Sequence, residues 1–214
     1  MTSRFDRELY RKHFRVTIFG SARIEKGDPR WKMVHRLAKM IGREGIDVVT
    51  GGGPGLMDAA SSGHQAGRKD HHTLSIGLNI HLPKEQKMNR HLDVKKEFLR
   101  FSDRLDNFTQ LSNVVVVAPG GVGTMLEFFF TWQLVQVGHI SGIPIILMGK
   151  MWPGFVKWIK KNPLRNKFIS RHELDNIFVA RNEIEAMEVI NDTYDEFNKS
   201  GKNISANMKK YRIR

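Results

Sequence analysis

Val114-Val115-Val116-Val117-Ala118-Pro119-Gly120-Gly121-Val122-Gly123-Thr124-Met125-Leu126-Glu127 runs from four valines through a glycine-rich turn into an apolar stretch. Consecutive β-branched residues read as a strand buried on both faces, the habit of a parallel sheet. Residues 124–137 read as a helix, apolar nearly all round and therefore buried on most sides. Glycine lets the backbone approach an oxyanion, and the free N–H groups of a first helical turn point at it. Gly121, Gly123 and the Thr124 hydroxyl are thus candidate phosphate ligands, with Gly120 beside them. Glu127 follows as a potential acid or base, and the helix dipole is expected to keep it ionised.

A second loop of the same kind, Gly51-Gly52-Gly53-Pro54-Gly55-Leu56-Met57, follows an expected strand at 46–50. Further strands are expected at 15–19, 73–78, 143–148 and 177–180, and helices at 29–43, 55–66, 100–111, 152–161 and 182–198. In the helix at 29–43, Trp31, Val34, Leu37, Ala38 and Ile41 share a face, and Pro29 suits its first turn. Residues 80–92 read as a polar loop, and 94–99 as either a short strand or a helix start.

This alternation predicts an α/β fold, a Rossmann-like doubly wound parallel sheet with helices on both faces. No repeat or shift in composition marks a second domain. One domain is expected over 15–198, with a basic N-terminal arm at 1–14 and a basic, flexible tail at 199–214. In the strand order 3-2-1-4-5, three turns would converge where ligands bind in such sheets. They are Gly20-Ser21, the loop holding Gly53, and the loop at 119–124, which adds Ser21 and Gly53 to the phosphate candidates. Neither glycine loop is a dinucleotide fingerprint or a Walker loop, so the site expected is for one phosphate, as on a mononucleotide.

A chain of 214 residues is long enough to bury a substantial core. It has no cysteine, which excludes disulfides, a thiol nucleophile and Cys-ligated metals. No signal-peptide pattern and no membrane-length apolar run is visible, so a cytoplasmic location is expected. His71-His72 lacks further ligands nearby, so no metal is expected. The formal charge of +13 calls for anionic partners. Its cations are spread out along the chain, with clusters in the first fifteen residues, at 157–167 and in the tail. Without a zinc-finger, RNP or helix-turn-helix pattern, solvated surface is favoured over nucleic-acid binding.

The two glycine loops together resemble the LOG ("lonely guy") family, long labelled lysine decarboxylases. The family signature PGGxGTxxE is matched at every fixed position from Pro119 to Glu127. Val16-Thr17-Ile18-Phe19-Gly20-Ser21-Ala22-Arg23 looks like the family's first strand and turn, and Leu82-Pro83-Lys84-Glu85-Gln86-Lys87-Met88-Asn89 resembles its LPxEQxxN loop. The resemblance spans about residues 15–195.

It implies a phosphoribohydrolase, which splits a nucleoside 5′-monophosphate (AMP or a cytokinin nucleotide) into free base and ribose 5-phosphate. It also implies a homodimer or larger homo-oligomer. The family's catalytic glutamate maps onto Glu127. Its arginine maps onto Arg104, fifteen residues before the motif proline, where Leu105 replaces the usual lysine. Met57, Glu85 and Asn89 are candidates for the base and ribose pocket. No cofactor is implied, and no lysine stands in the glycine loops to carry the Schiff base of a decarboxylase.

N-glycosidic cleavage passes through an oxocarbenium-like state, which a carboxylate can stabilise while it activates water. Two readings of other classes stand beside this one. One is a non-catalytic carrier of a nucleotide or phosphorylated cofactor, as in molybdenum-cofactor carriers. The other is a nucleic-acid module that uses the basic tail.

Overall fold

The computed structural model describes residues 3–69, 72–81, 87–140, 142–201 and 211–213. Its strands are β1 (Arg15–Phe19), β2 (Asp47–Thr50), β3 (Ser75–Ile80), β4 (Val94–Phe98), β5 (Val114–Val117), β6 (Ile145–Met148) and β7 (Ile177–Ala180). They form one sheet in the order β4-β3-β2-β1-β5-β6-β7, with every neighbouring pair parallel. The helices are α1 (Arg4–Tyr10), α2 (Pro29–Arg43), α3 (Leu56–Gly67), α4 (Phe101–Leu111), α5 (Val122–Gln136), α6 (Trp152–Ile159) and α7 (Glu183–Ser200). The fold is the doubly wound α/β architecture expected, and the inner strand order is the expected one with a further strand at each edge.

The valine run is fully buried because alternate residues feed two cores. Val114 and Val116 join Val16, Ile18 and Val48 under α2, α3 and α7, whereas Val115 and Val117 join Phe19, Ile76 and Leu78 under α4, α5 and α6. α2 begins where Asp28 accepts a hydrogen bond from the Arg30 N–H and Pro29 fills the first turn, and its Trp31, Val34, Leu37, Ala38 and Ile41 are buried as expected. No helix of the described residues is long and apolar enough to cross a membrane.

Several expectations need correction. The N-terminal segment is not a loose arm. It holds α1, capped by Ser3, with Phe5 buried edge-on to Phe98 of β4. The strand expected at 73–78 lies two residues later, and 94–99 resolves as strand β4. α5 starts at Val122 and is not buried on most sides. Val122 is 88% exposed, and Leu126 and Phe129 are each 43% exposed, while Thr124, Glu127, Phe128, Thr131 and Trp132 face inward. α6 runs on into a π-helical turn at Lys160–Leu164. The flexible tail expected at 199–214 has an ordered end: Tyr211 to Ile213 lie along β7, with Ile213 buried. Residues 202–210 lie outside the described residues.

Candidate active site

The winding of the chain reverses between β1 and β5, which stay parallel, and a cavity of about 480 Å³ opens there beyond the carboxyl ends of the strands. Three turns build its floor. The Ser21 N–H donates to the Pro119 carbonyl (3.1 Å), and the Leu56 N–H donates to the Ser21 carbonyl (2.9 Å), tying the β1 turn to both glycine loops. Gly55 adopts φ +70, and a Cβ there would stand 2.4 Å from the Ser21 carbonyl oxygen, so only glycine lets these turns meet. Gly120 is equally constrained, since a Cβ would lie 2.1 Å from Thr124 Oγ1.

One end of the cavity is the start of α5, with Gly121, Val122, Gly123 and Thr124 on its wall. Gly121 is the N-cap and offers no side chain, so nothing of the helix itself covers the first-turn N–H groups. The Thr124 side chain is buried yet makes no hydrogen bond among the described residues. Ser21 Oγ accepts from the Arg23 N–H (3.1 Å), which leaves its own proton free to donate into the cavity. This end has what a tetrahedral oxyanion requires.

Midway stands an ion pair. Arg104 Nη2 donates to Glu127 Oε1 at 2.8 Å, with both side chains about nine-tenths buried. Arg104 is flanked by the rings of Phe101 (5.6 Å) and Phe108 (5.5 Å), a favourable setting for a guanidinium. Its Nε has no hydrogen-bond partner among the described residues, and neither has Glu127 Oε2. Both residues line the cavity, where Glu127 Oε2 is open to a ligand, whereas Arg104 Nε is enclosed by protein.

Burial pushes the Glu127 carboxyl up to about 7, and the Arg104 charge offsets only part of that. The helix dipole, expected to keep Glu127 ionised, is opposed here by burial. α5 begins two residues earlier than expected, Glu127 lies beyond its first turn, and the dipole acts mainly within that turn. Burial also lowers the Arg104 pKa, from a value so high that the guanidinium stays charged.

The other end is formed by Met57, Gly51, Asn79, Ile80 and Phe101. Of the sequence candidates, Ser21, Met57, Arg104, Gly121, Gly123, Thr124 and Glu127 share this one cavity. Gly53, Gly120 and Asn89 stand behind it. Asn89 Nδ2 donates to the carbonyls of Gly52 (3.2 Å) and Gly53 (3.0 Å), holding the glycine loop from outside. Asn89 borders a neighbouring cleft with Pro54 and Asp58 instead. Glu85 lies outside the described residues, as does His71. Among the described residues, no group of three or more His, Asp or Glu is arranged to hold a metal. Leu105, at the position of the family's lysine, is 5% exposed and packs inward.

The sequence reading passed over Asn79, Ile80 and Phe101. Asn79 gave a signal, since asparagine is rare in a buried strand. The other two look like ordinary core and helix-start residues.

No curated protein matches the chain. Solved structures share its fold. A molybdenum-cofactor carrier protein from Chlamydomonas reinhardtii is 21% identical, with a TM-score of 0.63 over 86% of this chain and 99% of that one. The molybdenum-cofactor-binding protein of the phototrophic bacterium Rippkaea orientalis is 20% identical, with a TM-score of 0.60 over 84% and 96%. The structural-genomics target TM1055 is 23% identical, with a TM-score of 0.63 over 83% and 98%. The sequence profile described as "Possible lysine decarboxylase" matches residues 57–190, well over half of the chain. With the PGGxGTxxE motif in place at the switch point of the sheet, the chain belongs to that family, the LOG family.

Proposed function

We propose that the protein is a phosphoribohydrolase, cleaving the N-glycosidic bond of a nucleoside 5′-monophosphate to free base and ribose 5-phosphate. The observation that carries this reading is the Arg104–Glu127 pair opening on a cavity whose neighbouring wall is the uncapped start of α5. The 5′-phosphate binds the N–H groups of Gly121 to Thr124 and the hydroxyls of Thr124 and Ser21, supported from behind by Gly53 and Gly120. That grip fixes the remote end of the substrate and aligns the anomeric carbon with Glu127.

As the bond to the base breaks, its electron pair leaves with the base and positive charge develops on the ribose. The Glu127 carboxylate stabilises that charge and takes a proton from the attacking water, whose oxygen bonds to the anomeric carbon. A carboxyl titrating near neutral pH can then return the proton to the departing base. Arg104 holds Oε1 and leaves Oε2 to the reaction. No metal or cofactor enters this scheme.

The apolar outer face of α5 (Val122, Leu126, Phe129), with Phe101 nearby at 48% exposure, supports association with a second copy of the chain. A cytoplasmic location is in keeping with a sequence that has no cysteine and with described residues that hold no membrane-length helix.

A second reading is a carrier of a phosphorylated cofactor, favoured by the fold shared with the molybdenum-cofactor carriers. One panel separates the two. Nucleoside monophosphates and the matching nucleosides are incubated with the protein, and free base and ribose 5-phosphate are quantified. The enzyme is expected to turn over AMP-like monophosphates and to neglect nucleosides. Equal turnover of adenosine and AMP would contradict the phosphate grip, and tight binding without release of base would favour the carrier.

A further inference from the structure

Folding gathers cations that the sequence disperses. We infer that the groove they line binds single-stranded nucleic acid, with its phosphates on Lys157, Lys160, Lys161 and Arg212 and a base on the Trp158 ring. This goes beyond the proposed hydrolase and does not depend on it. No Asp or Glu stands between Glu127 and Glu173, and the whole basic cluster at 157–167 falls in that span. Lys157, Lys160 and Lys161 recur at the spacing that puts side chains on one side of a helix. That side of α6 and its π-helical extension faces the return of Tyr211 to Ile213 along β7, and the two enclose a groove of about 730 Å³. Arg212 reaches the same groove from the C-terminal cluster, its guanidinium 5.7 Å from the centre of the Phe178 ring. Two basic clusters distant in sequence thus meet in one place.

The chemistry of the groove indicates the occupant. No carboxylate lines it; Glu188, which accepts from the Tyr211 hydroxyl at 2.8 Å, is not on its wall. Among the described residues, Lys157, Lys161, Arg165 and Lys167 make no ion pair. Ile213 is buried and Val156 and Val179 are half-buried, whereas Lys157, Lys160 and Lys161 are exposed, so an apolar floor lies within a cationic rim. A single small phosphate would use one or two of these cations and leave the floor wet. A bilayer is met by an apolar face that enters it, not by apolar residues set behind ammonium groups. A flexible polyanion that carries flat rings uses both floor and rim. Trp158 supplies the stacking platform. It is 53% exposed, and one face stacks on Phe155 (6.4 Å, 26°), which leaves the other for a base. Lys161 follows three residues on, so ring and ammonium share that edge of the helix. The groove has no residue in common with the crevice between β1 and β5.

The test is fluorescence anisotropy of a labelled oligothymidylate of about 20 nucleotides with the full chain. Between about 50 and 200 mM salt the affinity should fall about 50-fold, the dependence expected when four cations displace counterions from a single strand. The double variant Lys157→Gln, Lys161→Gln should bind about tenfold more weakly at the lower salt and show about half the salt dependence. Trp158→Leu should also lose about tenfold, but with the salt dependence unchanged, and Trp158→Phe should recover most of that loss. All three positions are exposed, so the fold is expected to persist. Excess AMP should not displace the strand, because the crevice is elsewhere. Absence of binding at the lower salt, equal affinity for a duplex of the same length, displacement by AMP, or wild-type affinity in both the lysine and the Trp158→Leu variants would each overturn the inference. So would binding to phosphatidylserine vesicles without binding to the oligonucleotide, which would make the surface a membrane contact.

Discussion

Two buried arginines stand at opposite ends of the sheet, and their surroundings separate a sealed ion pair from one that faces a cavity. Arg15, at the amino end of β1, is 3% exposed and enclosed by partners: Glu8 at 2.9 Å, Asp47 at 3.4 Å and the Arg11 carbonyl at 3.3 Å. Those contacts fasten α1 to the base of β1 and β2. Arg104 is nearly as buried, at 7%, but it has one carboxylate, two aromatic rings and a cavity in front of it. Equal burial thus serves different ends. The first cluster is sealed from any ligand, with Arg15 Nε and Asp47 Oδ2 meeting only as an ion pair at 3.4 Å, and the second leaves Glu127 Oε2 facing a cavity.

The largest expected effect falls on the open pair. Glu127→Ala should lower kcat for nucleotide cleavage by about 10²–10⁴ while the fold persists, measured by release of free base. The closed pair should respond in stability instead. Arg15→Ala should cost about 3–5 kcal/mol in chemical denaturation, because it removes the buried cation that stands between Glu8 and Asp47. Arg104→Ala should cost nearer 1 kcal/mol, since Glu127 already titrates near neutrality and can simply take a proton. Equal losses in the two variants would erase the contrast.

A pH profile sharpens the same contrast. The base form of Glu127 is populated above about 7, so kcat/KM should climb with pH until about 7 and then level off. Stability runs the other way for this group. Its folded pKa lies above the ordinary carboxylate value, so its share of stability is present at low pH and is lost as pH rises toward 7.

The smallest effect concerns His64, buried between the Ser75 hydroxyl (2.8 Å) and the Ile46 carbonyl (2.9 Å). Burial lowers its pKa to about 4. It contributes stability above its ordinary value of 6.5, and that share is lost as pH falls from 6.5 toward 4. His64→Gln should flatten the decline in denaturation midpoint over that window without altering cleavage at pH 8.

The central architecture was legible because the valine run and the glycine loops carry opposite demands, burial on both faces and close backbone approach. They led to the strand order and to one cavity shared by Ser21, Met57, Thr124 and Glu127. Edges were harder to read. β4 is an outer strand whose Lys95, Lys96 and Glu97 lie between buried ends, so its apolar pattern is thin. β3 was placed two residues early because the polar stretch from residue 80 onward masks the end of the strand at Asn79 and Ile80. α1 has only seven residues, too few to hold a helix without the packing of Phe5. The protonation of Glu127 could not be read from chain position at all, because it depends on what the fold excludes from its neighbourhood.

The return of Tyr211 to Ile213 along β7 protects the assembly state of the protein. The Val179 N–H donates to the Tyr211 carbonyl (2.8 Å), and the Ile213 N–H to the Ile177 carbonyl (3.1 Å). Without that short antiparallel cover, the outermost strand would offer bare amide and carbonyl groups to any other copy in solution. A chain cut after Ser200 would keep its crevice between β1 and β5 and gain an adhesive rim, and its preparations should turn cloudy on concentration at strengths where the full chain stays clear.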